Sequence, residues 1–534
     1  MRAEAGFGAH ARTVMGLTMG SRISGLVREA VCSRMFGTAA PWSAWLTAFI
    51  IPNLFRRLFG EGAISAAFIP EYARLVREDP GRASRLASLT VAGVTATVGA
   101  IVVVAEIVLM WLLANGGLSE NARHVVLYTA IMLPYAPLIC GTAILFGMLQ
   151  SHGSFVESAA GPIILNVFIS VAAWVAVSGF GMSVETAATL LAVTVLGAGC
   201  AQLAWSLWSL RAHVHWTREV ADVRPVVMRM LARMVPVVLG MAALQINSVF
   251  DQVLAGLSLL TGPNPSWLGG ATYPLDAGTP AVLFYAQRLY QFPLGVFGIA
   301  IATVAFPAMS RQVREPEAFM GTLRHGIRVG AFIAMPAAIG LMMVARPLVD
   351  VVYSGGEFGP EDAARVTGVL RAYAPAIVAY SMIHVLTRAY YAHGLTWAPM
   401  AAGVTTVGLN IVGSVALMWP LAERGLAVAT SVSSFVQLGM LVAMAPRRVP
   451  ACEGRAVLDA ETWRSILHSF LLSGAMVGAI IGASLIPVGV GEGWMASAAA
   501  LARDVTVGGA VYLGGSVLMH RPELRSLVER RNRA

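Results

Sequence analysis

The sequence predicts an all-α polytopic membrane protein with fourteen transmembrane helices, arranged as two six-helix lobes in parallel repeat plus two C-terminal helices. Its composition, the number of its apolar runs and the placement of its arginines predict this fold class. Of the 534 residues, 57% are hydrophobic and 12% are charged, whereas soluble domains have about 25% charged residues. The mean hydropathy of +0.71 points the same way.

Fourteen apolar runs are long enough to cross a bilayer, which takes about 20 residues in a helix. These runs are 11–35, 41–66, 84–114, 124–150, 157–179, 184–210, 230–260, 281–307, 325–352, 364–390, 396–420, 424–446, 464–487 and 495–519. The first two have the lowest hydropathy because they contain arginine.

The distribution of arginine between the runs supports an even number of crossings. The chain has no lysine, so all 37 basic residues are arginine. Alternate breaks hold 25 arginines, whereas the other breaks hold seven. Because short cytoplasmic loops carry the excess of basic residues, we expect both termini in the cytoplasm.

An internal repeat predicts the division into lobes. The stretch 63–80 aligns with 300–317 at an offset of 237, and seven identities fall within its first sixteen positions. Each copy ends the second span of a six-span set, so the two sets share one orientation, a plan found in transporters. The predicted domains are an N-terminal lobe with six helices, a C-terminal lobe with six more, and the last two helices with a basic cytoplasmic tail. Their bounds are 1–220, 221–446 and 447–534.

Five arginines lie inside the first, second and eighth predicted spans, where two glutamates, Glu29 and Glu61, accompany them. An arginine at bilayer depth costs about 2.5–3.5 kcal/mol, so such residues line cavities or have partners. The excess of positive charge predicts a cavity for an anion, and the planar guanidinium suits phosphate oxygens. Two structural interpretations remain open, namely ion pairing within the spans and snorkelling to an interface. The pairs would be Arg28–Glu29 and Arg57–Glu61, and the snorkelling residues would be Arg22 and Arg56.

No catalytic or cofactor motif accompanies these charges. The phosphate-binding loop of nucleotide hydrolases requires a lysine, so the lysine-free chain is not expected to hydrolyse ATP. The four cysteines (Cys32, Cys140, Cys200 and Cys452) have no metal-ligand spacing. We therefore expect a transporter and not an enzyme, without a metal, a cofactor or a nucleic-acid partner.

Three stretches of the chain resemble the MurJ (MviN) family of lipid II flippases, in the multidrug/oligosaccharidyl-lipid/polysaccharide exporter (MOP) superfamily. They are SRISGLVREAVCSRMFG from residue 21, PNLFRRLFGEGAISAAFIPEY from residue 52, and YAQRLYQFPLGVFGIAIATVAFPAMSR from residue 285. The resemblance implies a bacterial inner-membrane protein that serves peptidoglycan and cell wall biogenesis, and hence cell shape. Such a protein moves lipid II, an undecaprenyl-pyrophosphate glycolipid, from the inner to the outer leaflet by alternating access.

The resemblance also implies a set of site residues. Those expected to bind the pyrophosphate are Arg22, Arg28, Arg56 and Arg288. Those expected to line the cavity or pair within it are Ser21, Glu29, Ser33, Arg57, Glu61 and Asn166. Some family members bind sodium, and the corresponding positions would be Asp251, Asn410 and Thr430. The last two helices are expected to form a groove for the prenyl tail.

The chain departs from the family pattern at three positions. Ser43 and Gln287 stand where the family often has an acid, and Ser414 stands where an acid would favour sodium. The resemblance leaves open whether transport is coupled to the membrane potential or to a monovalent cation. Lipid II and membrane lipids are the expected partners, and one chain should suffice for function. A flippase for another prenyl-pyrophosphate glycan is the main alternative, and a cation-coupled drug exporter is a further one.

Overall fold

The computed structural model describes residues 2–58, 64–295, 299–486 and 493–529. This part of the chain is built of helices joined by turns and longer connecting segments, and its one β-bridge joins Gly355 to Phe358. Its α-helices are α1 (Arg2–Phe36), α2 (Ala40–Phe55), α3 (Ile64–Glu78), α4 (Pro80–Asn115), α5 (Glu120–Met132), α6 (Tyr135–Ser151), α7 (Val156–Trp174), α8 (Val184–Leu210), α9 (Arg224–Thr261), α10 (Thr279–Pro293), α11 (Ile299–Arg311), α12 (Pro316–Tyr353), α13 (Pro360–Tyr373), α14 (Ala376–Ala392), α15 (Trp397–Leu421), α16 (Glu423–Arg448), α17 (Ala460–Ser484), α18 (Trp494–Leu518) and α19 (Pro522–Glu529).

Each of the fourteen predicted spans is occupied by one helix or by two successive helices. Within the described residues, nine helical segments are long and apolar enough to cross a membrane by length and composition alone. Two of these nine, Glu120–Ser151 and Pro360–Ala392, each join two helices that meet at a proline. Proline lacks a backbone N–H, so it interrupts the helical hydrogen bonds there. The helices are consistent with the plan of fourteen spans, and the full count stays a prediction.

The chain divides into two compact units. The first unit comprises Met1–Ala281 with Gly355–Phe358, and the second comprises Val282–Ser354 with Gly359–Ala534. Helix α9 packs against α2, α3, α4 and α5, and therefore belongs to the first unit. The lobes predicted from the repeat are defined by sequence and not by packing, and their boundaries remain a prediction.

Small residues allow the helices of the first unit to approach closely. A Cβ atom at Gly161 would lie 2.7 Å from the Phe146 ring, and one at Gly199 would lie 2.6 Å from the Tyr135 ring. Phe68 of α3 is fully buried in the core formed by α3, α4 and α6. Close packing of this kind holds membrane helices together where lipid removes the hydrophobic driving force.

The second unit packs its last helices against α12. Tyr512 of α18 donates a 2.7 Å hydrogen bond to the carbonyl oxygen of Phe332 on α12. Met476 and Ile480 of α17 complete the buried cluster around this contact. The C-terminal pair α17–α18 is thereby fastened to α12.

Candidate functional site

Among the arginines predicted to lie within spans, Arg28 of α1 has the most fully described contacts. Its Nη1 donates a 3.1 Å hydrogen bond to Oδ1 of Asn166 on α7, and its Nη2 forms an ion pair with Glu29. The side chain of Arg28 is 11% exposed and that of Glu29 is 2% exposed. The structure thus places the predicted Arg28–Glu29 pair in a setting with little solvent, where an unpaired charge would be costly.

Asn166 joins α7 to α1 through both ends of its amide. While Oδ1 accepts from Arg28, Nδ2 donates to Ser24 Oγ at 3.0 Å and to the carbonyl oxygen of Ser21 at 3.3 Å. Gly25 of α1 lies beside this amide, and a Cβ there would make an ordinary van der Waals contact of 3.6 Å with Nδ2. The structure therefore brings together Ser21, Arg28, Glu29 and Asn166.

Arg22 and Ser33 lie in different surroundings on the same helix. Arg22 is exposed and has no ion-pair or hydrogen-bond partner among the described residues. Ser33 is fully buried and donates to the carbonyl oxygen of Ala30 at 3.0 Å. Of the three predicted site residues Arg22, Glu29 and Ser33, only Arg22 is accessible.

Arg56 and Arg57 follow α2, where the backbone continues in a wider π-type turn through residue 58. Nε of Arg56 donates to Asn53 Oδ1 at 3.1 Å, and Nη1 of Arg57 donates to Gln245 Oε1 of α9 at 2.9 Å. The predicted Arg57–Glu61 pair stays a prediction, because Glu61 lies outside the described residues. Each of these two arginines therefore has a neutral amide oxygen as one of its partners.

Asn53 and Gln245 were missed by the sequence analysis. Asn53 stands three residues before Arg56, a spacing that brings side chains together on a helix and could have identified it. Gln245 lies 188 residues from Arg57 in sequence. Its only signal is that it is a polar residue within an apolar run.

Arg288 belongs to the second unit and is exposed on α10. Its guanidinium carbon lies 5.1 Å from the centre of the Phe284 ring, a cation–π arrangement. The adjacent Gln287 donates to the hydroxyl of Tyr373 at 3.1 Å. The amide at this position, where the resemblance implies an acid, is thus engaged in a neutral hydrogen bond to α13.

The residues considered for a sodium site are divided between the two units. Asp251 lies on α9 of the first unit and is 3% exposed. Asn410 and Thr430 lie on α15 and α16 of the second unit, where the hydroxyl of Ser433 contacts Asn410 Oδ1 at 3.5 Å and the carbonyl oxygen of Thr430 at 3.1 Å. Ser414 is fully buried on α15. Among the described residues, no group of three or more His, Cys, Asp and Glu side chains is arranged to hold a metal ion.

The sequence of this chain is similar to a family model and to curated relatives. A family model described as "Lipid II flippase MurJ" matches residues 32–495. The "Probable lipid II flippase MurJ" of Vibrio cholerae is 33% identical, over 80% of this chain and 81% of the relative. That of Rhizobium tropici is 30% identical, over 88% of this chain and 85% of the relative.

Solved structures show the same fold. The structure titled "Lipid II flippase MurJ, inward closed conformation" has a TM-score of 0.75 at 21% identity and covers 95% of this chain and 98% of that chain. An inward-facing multidrug resistance MATE family transporter of the MOP superfamily has a TM-score of 0.60 at 17% identity, covering 83% and 95%. With its family model matched over 464 residues, this chain belongs to the lipid II flippase MurJ family.

Proposed function

We propose that this protein is a lipid II flippase that moves undecaprenyl-pyrophosphate-linked peptidoglycan precursor from the inner to the outer leaflet. The observation that carries this proposal is the family match over residues 32–495. The curated relatives from Vibrio cholerae and Rhizobium tropici support it, since both are named as probable lipid II flippases. These matches favour lipid II over another prenyl-pyrophosphate glycan and over a drug.

Arg22 and Arg28 would bind the pyrophosphate in different ways. Exposed Arg22 has no ion-pair partner among the described residues, so its whole guanidinium is available to phosphate oxygens. Arg28 is oriented by Asn166 and Glu29, which leaves N–H groups of its fork for a ligand. A charge-assisted contact from each arginine would offset the loss of water from the pyrophosphate.

Arg56 and Arg288 are proposed to complete the binding set when the substrate is bound. Asn53 accepts a hydrogen bond from Arg56 and so orients it, and Arg288 is exposed beside Phe284. Ser21, Ser33, Arg57 and Glu61 would serve as lining or pairing residues. Arginine suits this task because its charge does not titrate and its fork can engage two oxygens at once.

Alternating access would carry the bound headgroup across the membrane while the prenyl tail stays in lipid. A positively charged cavity responds to the membrane potential, because one charge crossing 100 mV corresponds to about 2.3 kcal/mol. Coupling to a monovalent cation through Asp251, Asn410 and Thr430 is a second means of resetting the carrier. Depolarising the membrane and exchanging sodium for potassium, in separate arms of one transport assay, would distinguish them.

The protein is accordingly a multi-pass protein of the bacterial inner membrane and a transporter by family. The arginine bias supports placing both termini in the cytoplasm. We further propose that a single chain is sufficient for transport, and that no chemical step or cofactor is involved.

The function is tested by complementation of cells depleted of their own lipid II flippase. Wild-type protein should restore growth and make lipid II accessible to an enzyme added outside the cells. At equal protein level, Arg22→Gln and Arg28→Gln should reduce both growth and the accessibility of lipid II, whereas Arg77→Gln should reduce neither. Arg77 is a matched control because it is exposed on α3 and has no described partner.

The outcomes separate the function from the residue roles. If the wild-type chain reaches the membrane but leaves lipid II inaccessible, the flippase function is wrong. If the wild type works and Arg22→Gln works equally well, only the role of that arginine is wrong. Native mass spectrometry with lipid II, undecaprenyl phosphate and a cationic dye would then test substrate class, with lipid II expected to be retained best.

A further inference from the structure

A recess of about 700 Å³ lies at the start of α4, and its lining does not include the arginines proposed to bind substrate. It is formed within the first unit by α4, by the segment 211–223 that connects α8 to α9, and by the beginning of α9. Its lining residues are Arg85, Leu89, Arg218, Glu219, Val220, Ala221, Asp222 and Arg224.

The connecting segment is held against α4 by specific hydrogen bonds. The backbone N–H of His215 donates to Ser84 Oγ at 3.3 Å, and that of Thr217 donates to Ser88 Oγ at 3.1 Å. Alternate residues thus bond to serines one helical turn apart, so this part of the segment runs alongside α4. Fully buried Val223 fixes its far end before α9 begins. The recess is therefore a built feature and not a chance gap in a loose loop.

The charge of the recess is positive. Asp222 is held by Arg85 at 3.0 Å and lies 3.8 Å from Arg82. Arg218 and Arg224 are both exposed, and neither has an ion-pair partner among the described residues. Two arginines are therefore available to an anion at the mouth of the recess.

Leu89, which lines the recess, begins an exposed apolar stripe along α4. Arg85 and Leu89 share one face of the helix with a series of small and branched apolar residues, because all of them are spaced three or four apart. The exposed members of this series are Ala92, Ala96, Ala100, Val103 and Ile107. From Leu89 to Ala100 the helix rises about 16 Å, which is about half of the ~30 Å hydrocarbon core. A lipid chain from one leaflet matches that length.

We propose that this recess binds the phosphate of an anionic glycerophospholipid from the leaflet on the arginine-rich side of the membrane. Arg218 and Arg224 hold the phosphate, and the acyl chain lies along the stripe from Leu89 to Ala100. The Arg85–Asp222 pair forms the wall between headgroup and helix. The arginines that line the recess outnumber the acids. The cation of a zwitterionic headgroup would therefore meet net positive charge, so an anionic lipid is preferred.

Native mass spectrometry of the full-length protein tests this site, with phosphatidylglycerol and phosphatidylcholine of identical acyl chains as probes. Wild-type protein should retain phosphatidylglycerol in preference to phosphatidylcholine. Each arginine replaced by glutamine should weaken phosphatidylglycerol binding about fivefold, and Arg218→Gln/Arg224→Gln about 30-fold. Glu219→Gln removes a repelling charge and should strengthen binding.

The matched control removes two arginines elsewhere. Arg77→Gln/Arg314→Gln also takes two exposed charges from the arginine-rich breaks, and should leave phosphatidylglycerol binding unchanged. Equal loss in both double variants would show a diffuse charge effect and overturn the site, as would equal retention of the two lipids by the wild type. The inference does not rest on the proposed transport function, because binding is measured without lipid II.

Discussion

The guanidinium of Arg28 on α1 and the amide of Asn166 on α7 are joined by a 3.1 Å hydrogen bond from Nη1 to Oδ1. Asn166 returns to α1 through Nδ2, which donates to Ser24 Oγ and to the Ser21 carbonyl oxygen. One amide therefore both orients the arginine and fastens the two helices. Asn166 acts as a positioning residue for Arg28.

Asn166→Leu should destabilise the protein while keeping the number and branching of the side-chain heavy atoms. The substitution removes three hydrogen bonds and leaves Ser24 and the Arg28 fork with fewer partners, at a cost of about 1–3 kcal/mol. The melting temperature of detergent-solubilised protein measures the loss. Ser170→Ala on the same helix is the control, since Ser170 bonds only to the Asn166 carbonyl oxygen one turn back. Equal melting temperatures for the two variants would contradict the positioning role.

Glu29→Gln should be more damaging than removal of a surface acid. Glu29 is 2% exposed and pairs with Arg28, so neutralising it leaves a buried arginine with one partner fewer, at about 3–5 kcal/mol. Glu71→Gln is the comparison, because Glu71 pairs with half-exposed Arg74 at 2.6 Å and should leave the melting temperature unchanged. Thermal unfolding at pH 7 measures the stability of both variants. A smaller loss of stability for Glu29→Gln than for Glu71→Gln would refute the prediction.

Gly356→Ala should destabilise the turn that packs on the end of α1. Glu357 N–H donates to the Arg34 carbonyl oxygen at 2.9 Å, and a Cβ at Gly356 would stand 2.1 Å from that oxygen. Gly356 also has a φ of 57°, which a side chain disfavours. We expect a loss of at least about 1 kcal/mol in thermal unfolding.

Gly117→Ala separates backbone strain from this collision. Gly117 has a φ of 53°, but a Cβ there would meet no atom within 4 Å. Strain alone should therefore cost the same at Gly117 and Gly356, and the additional loss at Gly356 measures the contact with Arg34. If both variants lose the same stability, the contact is not tight in solution.

Glu523 should make stability depend on acid pH. Burial alone would raise its pKa, but hydrogen bonds from Ser465 and from its own backbone, together with the Arg521 charge, lower the pKa below its ordinary 4.5. Ser465 Oγ donates to Oε1 at 2.6 Å, and Arg521 Nε donates to Oε2 at 3.0 Å. Because the folded-state pKa is lowered, this stabilisation is complete above pH 4.5 and is lost as the pH falls through the folded-state value.

Glu523→Gln tests the pH dependence directly. The variant should lose about 3–5 kcal/mol at pH 7, where the carboxylate pairs with buried Arg521, and should approach the wild type as the pH falls well below 4.5. Thermal unfolding at several pH values measures both effects. Glu461→Gln is the control, because Glu461 is 71% exposed opposite Arg328. This variant should change neither the stability at pH 7 nor its dependence on pH. A constant difference between Glu523→Gln and wild type at all pH values would contradict the assignment.

Several site contacts followed from the sequence, and others did not. The pair of Arg28 with Glu29 was anticipated because the two are adjacent. Asn166 was named through a family resemblance, but its bonds to α1 bridge about 140 residues and have no local signal. Gln245 was missed for the same reason, since contact between distant helices depends on how they pack and not on spacing along the chain.

The sequence by itself determined that this chain is a helical membrane protein, and it predicted arginines at bilayer depth, because length, hydropathy and charge placement are local properties. It also determined the family, through three stretches of matching residues. Only the tertiary structure decided which arginine is exposed and which is held: Arg22 is exposed, whereas Arg28 is fixed between Glu29 and Asn166. The physical reason is that solvent exposure and hydrogen-bond partners arise when separate helices pack, and helical periodicity says which face a residue occupies but not what that face meets.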